Sequence, residues 1–96
     1  MTFEEFQDSI AASGPSSELP LALAALWWDA KGDWATAHGC AQQNESTECA
    51  WVHAYLHRKE GDIANAGYWY RRAGRQVFSG SLQEEWMEIA EALLAR

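Results

Sequence analysis

Apolar positions along this chain recur at spacings of three and four, and no segment alternates apolar with polar residues as a half-buried strand does. The reading is helical from end to end. Phe3, Phe6 and Ile10 line one face of a first helix over 2–12, opened by Thr2 with Glu5 three residues on. That pair forms a capping box, in which each side chain accepts a free backbone N–H of the other's residue. Ser13-Gly14-Pro15-Ser16-Ser17 follows as a linker. Pro20 suits the first turn of a second helix that runs to about Lys31. Gly32 closes it at positive φ, and Asp33 caps a third helix from Trp34 to about Gln43. Asn44-Glu45-Ser46 breaks the chain, and Ser46 or Thr47 caps a fourth helix ending at Gly61. Asp62 caps a fifth, Ile63 to Ala73, with Gly74 as its stop. A second capping box, Ser81 with Glu84, opens the last helix, Leu82 to about Ala95. The expectation is one all-α domain over 1–96 with six helices: an N-terminal helix (2–12), hairpins over 20–43 and 47–74, and a C-terminal capping helix (82–95).

Composition narrows the class. Ninety-six residues leave room for one core, and 48% hydrophobic with 22% charged residues is the balance of a folded globule. A net charge of −7 argues against nucleic acid or an anionic membrane surface as partner, since such affinity comes from displaced counterions. No apolar run approaches the roughly 20 residues that span a bilayer. The opening MTFEEFQDSI has three acids and no base, unlike a signal or transit peptide, so a cytoplasmic location is expected. Cys40 and Cys49 lack CxxC or zinc-finger spacing and read as reduced, small core residues.

A repeat lies inside the helical pattern. Lys31-Gly32-Asp33-Trp34-Ala35-Thr36-Ala37 aligns with Glu60-Gly61-Asp62-Ile63-Ala64-Asn65-Ala66, with Ala25 falling on Ala54. Both copies read helix, Gly-Asp turn, helix: an antiparallel hairpin in which Ala37 and Ala66 let the two backbones approach. The string Ala54, Gly61, Asp62, Ile63, Ala66, Tyr70, Ala73 resembles the tetratricopeptide repeat signature. The first copy departs from it, with Ala41 in place of the aromatic and Asn44 in place of the final alanine. The stretch from Trp51 to Gly74 also looks like that of a group of short bacterial proteins. The tetratricopeptide resemblance implies stacked helical hairpins, often with a peptide-binding groove, and terminal helices that cap the stack.

Histidine supplies the sharpest candidate chemistry. His53 and His57 are four apart and share one face of the fourth helix, roughly 6 Å from each other. Antiparallel packing of the third helix against the fourth brings His38 near His57, and Glu60 lies one turn further on. Three histidines and a carboxylate in one neighbourhood suit zinc or another transition metal. HAYLH lacks the glutamate of the HExxH metalloproteases. A partly buried histidine donating to a backbone carbonyl is the alternative, because His57 falls on Trp28 in the repeat alignment.

Six tryptophans are the compositional oddity. Trp34, Ala37 and Ala41 share a face, as do Ile63, Ala66, Tyr70 and Ala73, so large residues meet small ones in a core. Trp27 and Trp28 cannot both point inward, nor can Tyr68, Trp69 and Tyr70 together. Arg58, Lys59, Arg71, Arg72 and Arg75 stand against only Glu60 and Asp62, a local +3 in a chain of −7. Glu84, Glu85, Glu88 and Glu91 can pair with them inside the chain; otherwise they offer an acidic partner a landing site. No nucleophile elbow, phosphate loop or EF-hand is present, so no enzyme is expected. The sequence favours a protein or peptide interaction module, self-association included, with Trp51, Tyr55, Arg58, Trp69 and Arg72 as contact surface. A metal-binding or small catalytic protein on His38, His53, His57 and Glu60 is the alternative class, and a structural subunit of a larger assembly is a third.

Overall fold

A computed structural model describes residues 1–95. Six α-helices follow one another: α1 (Phe3–Ser9), α2 (Leu21–Ala30), α3 (Trp34–Ala41), α4 (Thr47–Lys59), α5 (Ile63–Ala73) and α6 (Leu82–Leu94). The architecture is all-α, with no strand among the described residues. Both capping boxes form at Thr2/Glu5 and Ser81/Glu84, and Ser46 accepts the Cys49 backbone N–H.

Two local outcomes differ from the periodicity. The first helix ends at Ser9, not near residue 12. The Ser9 hydroxyl donates to the Phe6 carbonyl at 2.6 Å, and the next three N–H groups bond three residues back, a tightening that unwinds the helix into the linker. Pro20 stands just outside α2 as its N-cap, where a proline has no N–H to lose.

The two hairpin turns are built alike. Gly32 (φ 85°) and Gly61 (φ 90°) take the left-handed conformation that glycine adopts without a Cβ clash. Asp33 and Asp62 then send their backbone N–H back to the carbonyls of Trp28 and His57, each at 3.0 Å, closing the helix just ended. Their carboxylates accept the N–H of Thr36 and Asn65, opening the next helix.

Within each hairpin α2 packs on α3 and α4 on α5, while α4 also touches α2, α3 and α6. This surrounds α4, and every residue from Cys49 to His57 is buried. A helix enclosed on all sides has no outward stripe. Three indole N–H groups are satisfied by distant carbonyls: Trp27 by Ser9, Trp34 by Leu56 and Trp86 by Leu26. α1 is held by Phe6 stacking on Trp86 at 5.8 Å. Trp27 is buried beside a half-buried Trp28, and Tyr70 is buried while Tyr68 stays 44% exposed.

The contact surface read from the sequence is therefore corrected. Trp51 (3% exposed) and Tyr55 (2%) belong to the core, because α4 is the helix the others wrap. Arg58 is committed inside the chain: its Nε donates to Glu85 at 2.9 Å and its Nη1 to the Gly80 carbonyl at 3.1 Å. Of that set only Arg72 is exposed, with Trp69 half-buried beside it. Arg71, Arg72 and Arg75 likewise make no ion pair with α6 among the described residues. Arg72 lies over Trp69 and donates to the Tyr68 hydroxyl, and Arg75 covers the Trp51 ring at 3.4 Å.

Two ion pairs on buried carboxylates tie α2, α4 and α6 together. Asp29 on α2 accepts from Lys59 on α4 at 2.8 Å, and Arg58 on α4 pairs with Glu85 on α6. Each carboxylate also takes a tyrosine hydroxyl, Tyr55 on Asp29 and Tyr70 on Glu85. Burial pushes both phenols above their ordinary range, with the neighbouring carboxylates adding to the effect, so both remain donors.

Candidate metal centre

Helical spacing sets the first part of this site. His53 and His57, one turn apart on α4, stack their rings at 4.8 Å. The hairpin order lays α3 along α4 and delivers His38 to the same place. Its ring meets His53 at 4.6 Å and His57 at 5.1 Å, both edge-on. The sequence reading brings His38 to His57; the structure brings it to both. One ligand nitrogen from each ring lies within 4.8 Å of the other two. His38 and His53 meet directly, Nε2 to Nε2 at 2.9 Å, so one of these nitrogens donates its proton to the lone pair of the other.

Glu60, one turn beyond His57, joins the neighbourhood through that ring. Its Oε1 lies 2.6 Å from His57 Nδ1, on the far side of the ring from Nε2. An Nδ1–H donated to a carboxylate leaves Nε2 as the lone-pair nitrogen. Asn65, at the start of α5, places its amide nitrogen 3.4 Å from that Nε2, where its N–H can donate to the lone pair. The carboxylate thus stands behind His57, the place that carboxylates take behind many metal-bound histidines. Glu60 and Asp62 also group with His57 as a second, exposed set of acidic atoms. Asp62 is already engaged there as the cap of α5.

The indoles complete the enclosure. Trp34, one turn before His38, stacks on its ring at 4.9 Å, and Trp69 stacks on His53 at 3.9 Å. Trp34 is itself fixed by its N–H on the Leu56 carbonyl. His53 and His57 are 4% and 6% exposed, and His38 is half-buried. Burial lowers the His38 pKa, with His57 adding to it. His53 is pushed down to about 4 by burial first, then by His38 and His57. Both are therefore neutral imidazoles at neutral pH, the form that binds metals. Among the described residues none of the three donates to a backbone carbonyl, as the alternative reading expects of a partly buried histidine.

The donor set fits a borderline cation. Imidazole nitrogen suits zinc, copper, nickel and iron, and a tetrahedral zinc holds such nitrogens at about 2.0–2.1 Å, roughly 3.3 Å from one another. The present spacing, 2.9 Å for one pair and within 4.8 Å for the rest, would reach that by small side-chain movements, with the proton shared by the His38 and His53 Nε2 atoms moving to Nδ1 of the ring that carries it. No fourth Cys, Asp or Glu atom joins all three histidines among the described residues, so a fourth position falls to water or a small ligand. Sequence reasoning misses the indole stacking. Trp34 and His38, four apart on α3, carry a local signal for half of it; Trp69 carries none.

Comparison of this chain with protein-family models, with curated proteins and with solved structures returned no match.

Proposed function

We propose that this protein binds a transition-metal dication, zinc foremost, through His38, His53 and His57, with Glu60 holding His57 in the ligating tautomer. The observation that carries the reading is the convergence of three imidazole nitrogens within 4.8 Å, two of them neutral at neutral pH by burial. Two hairpins of the tetratricopeptide-like kind are the scaffold in this reading, supported by the matched Gly-Asp turns at 32–33 and 61–62. Binding, not turnover, is the role favoured. Neither the 510 Å³ cleft nor the 460 Å³ cleft is lined by a histidine, and the triad is roofed by two indoles.

The test is a zinc titration of tag-free protein, read by tryptophan fluorescence and melting temperature together. Trp34 and Trp69 report from van der Waals contact with the ligands. At zinc about 100-fold above Kd the folded state gains ~2.7 kcal/mol. For a domain of this size that raises Tm by about 10–20 °C. A one-to-one response lost in His53→Ala and in His38→Ala is the expected result. No response at micromolar zinc returns the histidines to a structural role.

The interaction-module reading stands second, on a smaller surface than the sequence indicated. Ile63 and Tyr68 are large, apolar and exposed on α5, with Arg72 beside Tyr68. A change of oligomeric state or of partner capture in Tyr68→Ala supports it; identical behaviour removes it.

A further inference from the structure

A second constellation lies away from the histidines, on residues the metal reading does not use. A cleft of about 510 Å³ opens where α1, α2, α4 and α6 meet. Ile10, Leu82, Trp86 and Met87 supply its apolar wall, with the amides of Gln7 and Gln83 at its margin. Its polar end is a buried carboxylate: Asp29 accepts the Tyr55 hydroxyl on Oδ2 at 2.7 Å and the Lys59 ammonium on Oδ1 at 2.8 Å.

The two partners of Asp29 are unequal. Tyr55 is locked in the core, whereas the Lys59 side chain is 39% exposed and reaches the carboxylate along a flexible four-carbon stem. Asp29 lies in the last turn of α2, and Lys59 is the last residue of α4. The C-terminal pole of α2 therefore adds partial negative charge at Asp29. The cleft offers an ammonium a buried carboxylate beside that pole, and it offers an attached apolar group an indole and aliphatic side chains.

We propose that this cleft binds a small amphipathic amine, a primary ammonium on a short chain with an aromatic or branched apolar end, and that Lys59 occupies the ammonium position in its absence. The exchange conserves the ion pair. Lys59 swings into water, where its charge is hydrated, and the incoming ammonium keeps Asp29 compensated, so the buried carboxylate is never left alone. The ligand's apolar part leaves water against Trp86 and Leu82, and that burial drives binding. A carboxylic acid of the same shape is disfavoured, because it must sit beside Asp29 with one half-solvated lysine between them. The cleft volume lies within the range of small-molecule sites.

The probe is 2-phenylethylammonium, titrated into the protein with a chelator present so that metal plays no part. The Trp86 indole N–H resonance is followed by NMR. 3-Phenylpropionate and 2-phenylethanol serve as the anionic and neutral counterparts. Saturable shifts with the amine and none with the other two are expected. Lys59→Met removes the competing ammonium and is expected to tighten amine binding about two- to fivefold, the worth of an ion pair whose lysine is partly solvated. Asp29→Asn, nearly isosteric, is expected to abolish it. Equal binding of all three probes, unchanged affinity in Lys59→Met, or no saturation by the amine at millimolar concentration in either wild type or Lys59→Met overturns the proposal. Tighter binding of a capped lysine-containing peptide than of the free amine also overturns it. Should Asp29→Asn fail to fold, the Lys59→Met comparison decides alone.

Discussion

His38 and His53 hold their Nε2 atoms 2.9 Å apart across the α3–α4 interface, a contact in which one imidazole must donate and the other accept. Two neutral rings achieve this and two protonated rings do not. The pair is satisfied without a metal, and both of its rings lie against that of His57. The fold and the site are therefore coupled through the charge state of these histidines.

Acid should expose that coupling. The folded protein holds His53 near 4, against an ordinary value of 6.5 in the unfolded chain. Between those values the unfolded state binds the extra proton, so stability falls as pH drops through the window and is constant above it. At the lower end the loss is on the order of 3 kcal/mol. Urea denaturation of metal-free protein at pH 7.5, 6 and 5 is expected to show a falling midpoint. His53→Gln is expected to flatten the profile; an unchanged slope in that variant shows another group to be responsible.

Glu60 should matter for metal more than for folding. It is partly exposed and bonds His57 Nδ1, so Glu60→Gln removes the charge that makes His57 a better ligand and leaves the packing intact. Zinc affinity is expected to fall about 10–100-fold, with the Tm of metal-free protein nearly unmoved. Calorimetric titration distinguishes this from direct ligation by Glu60, in which stoichiometric binding itself is lost.

The pair between Arg58 and Glu85 predicts an asymmetry. Glu85 is fully buried, and burial raises its pKa even against the pull of Tyr70 and Arg58. Arg58→Met strips it of its cation and should destabilise by about 3–5 kcal/mol. Replacing both, as Arg58→Met with Glu85→Gln, should recover much of that loss, because no charge is then stranded and the Tyr70 hydroxyl keeps an acceptor. Equal losses in the single and double variants refute the account.

Two glycines should respond oppositely to alanine. Gly61 closes α4 at φ 90°, where a Cβ is strained, and Gly61→Ala should cost about 1–2 kcal/mol. Gly39 lies inside α3, and the space a methyl group would take there is open to 4 Å, so Gly39→Ala should stabilise by about 0.5–1 kcal/mol. Thermal denaturation of the two variants side by side checks both signs.

The helices are legible in the chain because their causes are local. A threonine or serine with a glutamate three residues on, an aspartate after a glycine and a spacing of three or four act within one turn of backbone. The same locality sets His53 and His57 on one face, since four residues nearly complete a turn. What surrounds a helix is not local. Trp51 and Tyr55 read as surface aromatics until α2, α3, α5 and α6 close around α4, and nothing inside residues 47–59 announces those neighbours. Charge pairing is misread for the same reason. The α5 arginines look like partners for α6, yet it is Arg58 that reaches Glu85, 27 residues away, because the stacking of α4 on α6 selects which side chains meet.

Six helices, their caps, two equivalent hairpin turns and a histidine pair thus belong to the chain alone, because each depends on interactions spanning a few residues. Packing between helices is what makes His38 complete a triad and sets Trp34 and Trp69 as its roof. Packing also leaves Asp29 at the end of a cleft, paired with a partly exposed lysine. These are distances between helices, and they follow from how large and small side chains interlock across interfaces, a condition on pairs of segments that neither segment carries alone.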